Sequence, residues 1–225
     1  MSAAAIIKTL KGLADKNNQE GMKRFAVGDN TALGIKLPVL RDLAKPYKKQ
    51  HALALDLWNS GIHEARLMAC FIDDPKQVNE EQMDAWTRAF YSWDICDQCC
   101  ANLFQKTPYF LEKAFAYSHA EEEFVKRTGF VLMIQYAVHH KKAPDEQCLE
   151  FLTRIEEEAW DERNFVKKAL NWCLRQIGKR SAWLYPKAVA CAERIAKQPH
   201  RSARWIASDA LRELNSEAVR TRIGI

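Results

Sequence analysis

Apolar side chains recur at intervals of three and four residues through nearly all of this 225-residue chain, and no stretch sustains the apolar–polar alternation of a strand. A chain patterned this way buries its apolar stripes by laying helix on helix. The low glycine count, 8, points the same way, because β architectures call on turn residues far more often. The spacing predicts an all-α fold with helices over 3–15, 37–48, 51–59, 62–72, 79–91, 93–105, 108–118, 121–139, 145–158, 161–177, 181–196, 200–214 and 216–222. Gly34, Asp73-Asp74-Pro75, Thr107-Pro108, Ala143-Pro144, Gly178 and Gln198-Pro199 supply the stops.

Helices of this length joined by short turns fold back in antiparallel pairs, and the pairs repeat. Glu64-Ala65-Arg66-Leu67-Met68, Val125-Lys126-Arg127-Thr128-Gly129, Val166-Lys167-Lys168-Ala169-Leu170 and Ser202-Ala203-Arg204-Trp205-Ile206 each set a basic residue one turn into an otherwise apolar helix. Arg66, Arg127, Lys168 and Arg204 are 61, 41 and 36 residues apart, which fits one skipped unit and then two single units of HEAT-like length. Stacked pairs form a solenoid whose second helices line a concave face. Residues 1–225 therefore read as a single HEAT-like repeat domain, a helical solenoid with a basic concave face. The plainer alternative is that these four cations bend back onto local carboxylates. Helix starts are electrostatically poor places for a cation, so repetition there favours the row.

The charge excess is modest, +5 from 34 basic and 29 acidic residues, and its distribution matters more than its size. Acidic runs at 121–123 and 156–158 leave basic stretches at 45–49, 126–127, 167–168, 175–180 and 194–204, compatible with a surface for a polyanion. Seven cysteines and the start Met-Ser-Ala-Ala-Ala-Ile-Ile-Lys, whose apolar run is too short for export or a membrane span, give a cytoplasmic location as the expectation. Cys96, Cys99 and Cys100 cluster, but no second CxxC or spaced histidine pair completes a zinc set, so neither metal nor other cofactor is expected.

The run Tyr-Ser-Trp-Asp-Ile-Cys-Asp, residues 91–97, carries the most chemistry. Trp93 and Asp97 are four apart, which stacks an indole beside a carboxylate on one helix face. Trp86, Phe90, Ile95, Leu103 and Phe104 flank the run, so that face meets a core or a cleft, where an ionised carboxylate needs a cation. Trp172, four residues after Lys168, shares the face of its basic neighbour. Either indole can instead be a core residue, the commoner fate of a large aromatic.

Taken in order, Leu33-Gly34-Ile35-Lys36-Leu37-Pro38-Val39-Leu40-Arg41, Trp93 with Asp97, Lys126-Arg127-Thr128, and Phe165-Val166-Lys167-Lys168 through Trp172 to Arg175 resemble the DNA alkylation repair glycosylases of the AlkD type, built from HEAT-like repeats. The resemblance covers nearly the whole chain. It implies hydrolysis of the N-glycosidic bond of N3- or N7-alkylated purines in duplex DNA, without a cofactor or membrane, by a monomer whose groove needs no second chain. Under it, Asp97 is the catalytic carboxylate, and Trp93 and Trp172 are the tryptophans that flank the lesion. Arg127 is the arginine beside the carboxylate that contacts the DNA backbone, and Lys126, Lys167, Lys168 and Arg175 are further DNA-binding cations. Phe25 and Lys36 stand at DNA-contacting positions but depart from the family pattern, where a tyrosine and a neutral amide are usual. Asn164 replaces a common aromatic beside Phe165. The shallow groove implied by such a solenoid offers no closed cavity for a flipped base.

Two other readings use the same repeats. One is a solenoid that binds duplex or branched DNA without cleaving it, against which Asp97 argues, since a carboxylate on a phosphate-binding face weakens binding. The other is a protein-interaction scaffold whose basic row takes an acidic partner.

Overall fold

The structure, a computed structural model, describes residues 2–24, 27–28 and 30–225. Among these residues it contains α-helices, two short 3-10 turns and no strand. The helices are α1 (Ala3–Gly12), α2 (Lys16–Arg24), α3 (Leu37–Ala44), α4 (His51–Asn59), α5 (His63–Ile72), α6 (Glu80–Arg88), α7 (Trp93–Asn102), α8 (Phe110–Ser118), α9 (Glu123–His139), α10 (Gln147–Glu158), α11 (Asn164–Gly178), α12 (Tyr185–Ala196), α13 (Arg201–Leu214) and α14 (Glu217–Ile223). None is long and apolar enough to cross a membrane.

Every helix expected from the spacing is present, with ends drawn in where local chemistry demands. The 37–48 segment stops at Ala44 and tightens into a 3-10 turn over Lys45–Tyr47, since Pro46 removes a donor and crowds the preceding turn. Residues 181–184 stay outside α12, which opens with Pro186 in its first turn. One helix was not expected. α2 buries no residue, so it has no apolar stripe for a periodicity argument to find. It is started instead by Asp15, whose carboxylate accepts from the amides of Asn17 (2.9 Å) and Asn18 (3.1 Å).

Contacts divide the chain into two compact units, Met1–Phe110 and Leu111–Ile225. In the first, α5 is the central helix: all its residues except Arg66 are buried, and it packs on α1, α3, α4 and α7. Trp58 of α4 stacks on Trp86 of α6 with ring centroids 4.0 Å apart, Phe90 meets Trp58 edge-on, and Phe104 closes the cluster against Phe90. Aromatic pairs of this kind add about 0.5–1.5 kcal/mol beyond simple burial. They show where the apolar flank of the 91–97 run goes.

In the second unit, α9 is buried at every position from Val125 to Ala137. It packs on α11, α11 on α13, and each of the latter two on its own hairpin partner, α10 and α12. The second helix of each pair therefore carries the repeated basic position: Arg127 on α9, Lys168 on α11 and Arg204 on α13. Gly129 lets α9 approach α8 closely, because a β-carbon there would lie 2.4 Å from the Ser118 amide nitrogen of α8.

Candidate functional site

In the first unit, α7 begins at Trp93, and a polar clamp fixes its first turn. The Ser92 hydroxyl accepts from the Gly28 amide at 3.0 Å and donates to the Asp94 carboxylate. The other Asp94 oxygen lies 2.8 Å from Nε2 of the fully buried His63, whose Nδ1 is 3.0 Å from the Tyr91 hydroxyl. Burial would push the Asp94 carboxyl up. The hydrogen bond and charge of His63 and the bond from Ser92 outweigh it, holding Asp94 below the usual carboxylate value and therefore ionised at neutral pH. Arg66 braces the far side, 5.4 Å over the Tyr91 ring and 5.2 Å over Trp58, with Nε donating to the Trp58 carbonyl at 3.4 Å.

Trp93 and Asp97 follow one turn apart on α7, both half-buried. Beside Trp93 opens a cleft of about 600 Å³. Its walls are Asn17, Asn18, Gly21 and Met22 of α2, Gly34 to Leu37, His63 and Leu67 of α5, and Trp93, Asp94 and Gln98 of α7. The shallow groove expected from sequence provides no such cavity. The cleft exists because the unforeseen α2 stands against the 33–35 segment, with Asp15 N donating to Leu33 O (2.8 Å) and Gln19 Nε2 to Ala32 O (3.0 Å). That segment is in turn gripped from α5. The fully buried Glu64 carboxylate accepts from the amides of Leu33 (2.8 Å), Gly34 (2.8 Å) and Ile35 (3.2 Å). Lys36, next in sequence, is exposed at the cleft and pairs with no carboxylate among the described residues. Phe25 lies outside the described residues.

The expected basic row is uneven. Lys168 and Arg204 are exposed, Arg204 with one contact to the Pro199 carbonyl at 2.8 Å, whereas Arg66 is half-buried in aromatics and Arg127 is buried, donating to the Phe165 carbonyl at 2.7 Å. Lys126, expected on the DNA face, is buried, with its ammonium 2.8 Å from Glu158 and 3.4 Å from Asp161 and 5.0 Å over the Trp160 ring. Arg175 pairs with Glu213 and lies 3.9 Å from Asp209. Sequence spacing sets a residue's face but not its charge partners, and here carboxylates of the next helix pair take up Lys126 and Arg175. Lys167 is half-buried, 5.2 Å over the ring of the exposed Trp205, and Trp172 is half-buried on α11.

All seven cysteines are buried, and burial pushes the Cys148 and Cys191 thiols up to about 12, far from reactive. Among the described residues, no group of three or more histidine, cysteine or acidic side chains is placed to hold a metal ion.

The family described as DNA alkylation repair enzyme matches residues 6–216. The chain belongs to the DNA alkylation repair enzyme family. An uncharacterized protein of Listeria innocua is 24% identical over 192 residues, which is 84% of either chain. Among solved structures, a protein of a new family related to the HEAT-like repeat DNA glycosylases, with affinity for branched DNA structures, matches with a TM-score of 0.81 at 18% identity. That match covers all of this chain and 97% of the other, and it establishes the HEAT-like repeat fold. The sequence reading gave no role to four polar or aromatic residues of this DNA alkylation repair family member: His63, Glu64, Asp94 and Trp205. Asp94 had a visible signal, as an acid in the first turn of a helix directly after Ser92 and Trp93.

Proposed function

We propose that the protein is a DNA glycosylase that hydrolyses the N-glycosidic bond of cationic N3- or N7-alkylated purines in duplex DNA, working as a monomer in the compartment that holds the DNA. The observation that carries this reading is the pairing of Trp93 and Asp97 at the half-buried start of α7, in a chain of the DNA alkylation repair enzyme family.

The chemistry needs one carboxylate. Alkylation at N7 or N3 puts a formal positive charge on the base, so when the C1′–N bond breaks its electron pair neutralises the departing purine and no general acid is required. The sugar is left as an oxocarbenium-like cation. Asp97 stabilises that charge and accepts a proton from the water that attacks C1′. Trp93 holds the electron-poor sugar against its face, a contact that strengthens as positive charge develops. In the second unit, Trp172 and the exposed Lys168 and Arg204 engage the duplex.

Leaving-group activation is thus built into the lesion. The purified protein is expected to release 7-methylguanine and 3-methyladenine from duplex DNA and to leave uracil and hypoxanthine untouched. Chromatographic analysis of released bases checks this, and efficient excision of either neutral base sinks the reading.

Burial also sorts the cations. Lys168→Ala is expected to reduce the slope of log affinity against log salt by about 0.9, the contribution of one phosphate contact. Lys126→Ala should leave the slope alone and lower the urea midpoint instead, because it takes a buried ammonium from Glu158 and Asp161 and leaves them with Arg154 and Arg163 alone. Fluorescence-anisotropy titrations at several salt concentrations, with a urea melt of each variant, separate the two.

The fold neighbour favours a second reading, binding of branched DNA without cleavage. Tighter binding to a four-way junction than to a lesion-bearing duplex, with no base released from either, would establish it.

A further inference from the structure

We propose that Trp205 and Lys167 together form a seat for the DNA backbone, in which the indole holds the ammonium in place for a phosphate and offers its own edge to the adjoining deoxyribose. The proposal rests on the DNA-binding part of the glycosylase reading and is independent of the chemistry at Asp97.

The exposure of Trp205 is the first observation. Tryptophan is usually well buried, yet this one lies one turn into α13 with 40% of its surface in solvent. Its exposed neighbours on the helix are Arg201, Arg204 and Ser208, and Arg201 stands one turn earlier on the same face. The ring is therefore set among cations and a hydroxyl, not in an apolar patch.

What lies over the ring is the second. The ammonium of Lys167, from the first turn of α11, is 5.2 Å from the ring centroid. Two other lysines of this unit lie over tryptophans, and both are engaged elsewhere. Lys126, over Trp160, is neutralised by Glu158 and Asp161, and Lys187, over Trp183, donates to the Trp183 carbonyl at 2.9 Å. Lys167 pairs with no carboxylate among the described residues. Asp209, one turn beyond Trp205, is taken up by Arg212 and lies 3.9 Å from Arg175.

An indole restrains an ammonium without cancelling its charge, whereas a carboxylate does both. Because the first turn of a helix is a poor place for a cation, Lys167 is held where its charge is least compensated. That is a charge kept for an anion.

The ring decides which anion. An acidic peptide would use the cation and leave the indole idle, and a flat apolar partner would meet Lys167, Arg201 and Arg204 without neutralising them. A nucleic-acid backbone alternates phosphates with sugars that carry apolar C–H faces, so it uses both groups without regard to sequence. The exposed Lys168 and Arg201 extend the positive surface to neighbouring phosphates.

Anisotropy titrations of an undamaged duplex at several salt concentrations test the seat, on wild type, Lys167→Ala, Trp205→Leu, Trp205→Phe and the double variant Lys167→Ala/Trp205→Leu. Trp183→Leu, in the turn before α12, is the control. Lys167→Ala should reduce the slope of log affinity against log salt by about 0.9. Trp205→Leu keeps every charge, so the slope should hold while affinity falls about fivefold at each salt concentration. Trp205→Phe, which keeps a ring under the ammonium, should restore most of that loss. In the Lys167→Ala background the loss from Trp205→Leu should shrink, since the two groups act as a unit. Trp183→Leu should alter nothing, and urea midpoints should stay at the wild-type value because the ring is exposed.

Duplex affinity unaltered by Trp205→Leu overturns the seat, as does a loss that Phe does not restore or that is equal with Lys167 present and absent. Tighter binding of a polyglutamate peptide than of duplex, lost in Lys167→Ala, overturns it in favour of a protein-docking face. A Trp205-dependent grip on duplex in a protein that frees no base keeps the seat and removes the glycosylase. Base release by a protein whose duplex affinity ignores Trp205 does the reverse.

Discussion

Asp97→Asn is expected to slow single-turnover release of 7-methylguanine by about 10²–10³-fold, the usual cost of removing one preorganised group that meets charge in the transition state. The substitution keeps the shape of the side chain and removes its charge. Since Asp97 is asked to act on a cation that exists only as the glycosidic bond breaks, the loss should fall on the chemical step. Duplex affinity should hold or rise, because a carboxylate repels phosphate. Single-turnover rates at saturating protein, with anisotropy measured on the same duplex, separate the two effects. The nearby Asp94→Asn serves as contrast: Asp94 sits in the clamp with His63 and Ser92 that fixes the first turn of α7, so its loss should lower the urea midpoint. If Asp97→Asn retains the wild-type rate while the protein still excises alkylated purines, the reacting carboxylate has been misassigned.

The fold was legible because it rests on periodicity, and periodicity survives in sequence. The pairing of helices and the repeated basic position on α5, α9, α11 and α13 all follow from intervals that can be counted. What sequence could not supply were the partners of charged groups. Lys126 and Lys168 occupy similar turns of successive second helices, yet one is buried against Glu158 and Asp161 and the other faces solvent. Their difference lies in what the next helix pair brings alongside. α2 escaped for a different reason: it has no buried face, and it is held by hydrogen bonds from Asp15 and Gln19 rather than by apolar contact. The cleft escaped with it, being built from that helix and from a loop whose geometry depends on one buried acid.

Glu64→Ala is expected to lower stability by about 3–5 kcal/mol, since it leaves the buried amides of Gly34 and Ile35 and the half-buried amide of Leu33 without an acceptor at about 1–3 kcal/mol each. That is a large share of a typical folding free energy, about 5–15 kcal/mol. Gly34 cannot relax to compensate. It is held at φ +83°, and a β-carbon there would sit 2.2 Å from the Asp15 carbonyl, so the loop fits only in its present form. Glu64→Gln should recover part of the loss. Its oxygen can still accept from Gly34 and Ile35, but its NH₂ then confronts the Leu33 N–H, donor against donor. Because the 32–35 segment anchors Asp15 and Gln19, freeing it should loosen α2 and the wall of the cleft. Urea unfolding should therefore rank wild type above Glu64→Gln and Glu64→Ala last. Hydrogen exchange should show lost protection at amides 33–35 and through α2 under conditions where α9 stays protected. An Ala variant that melts with wild type, or that loses protection evenly across both units, would mean that Glu64 does not hold the site together.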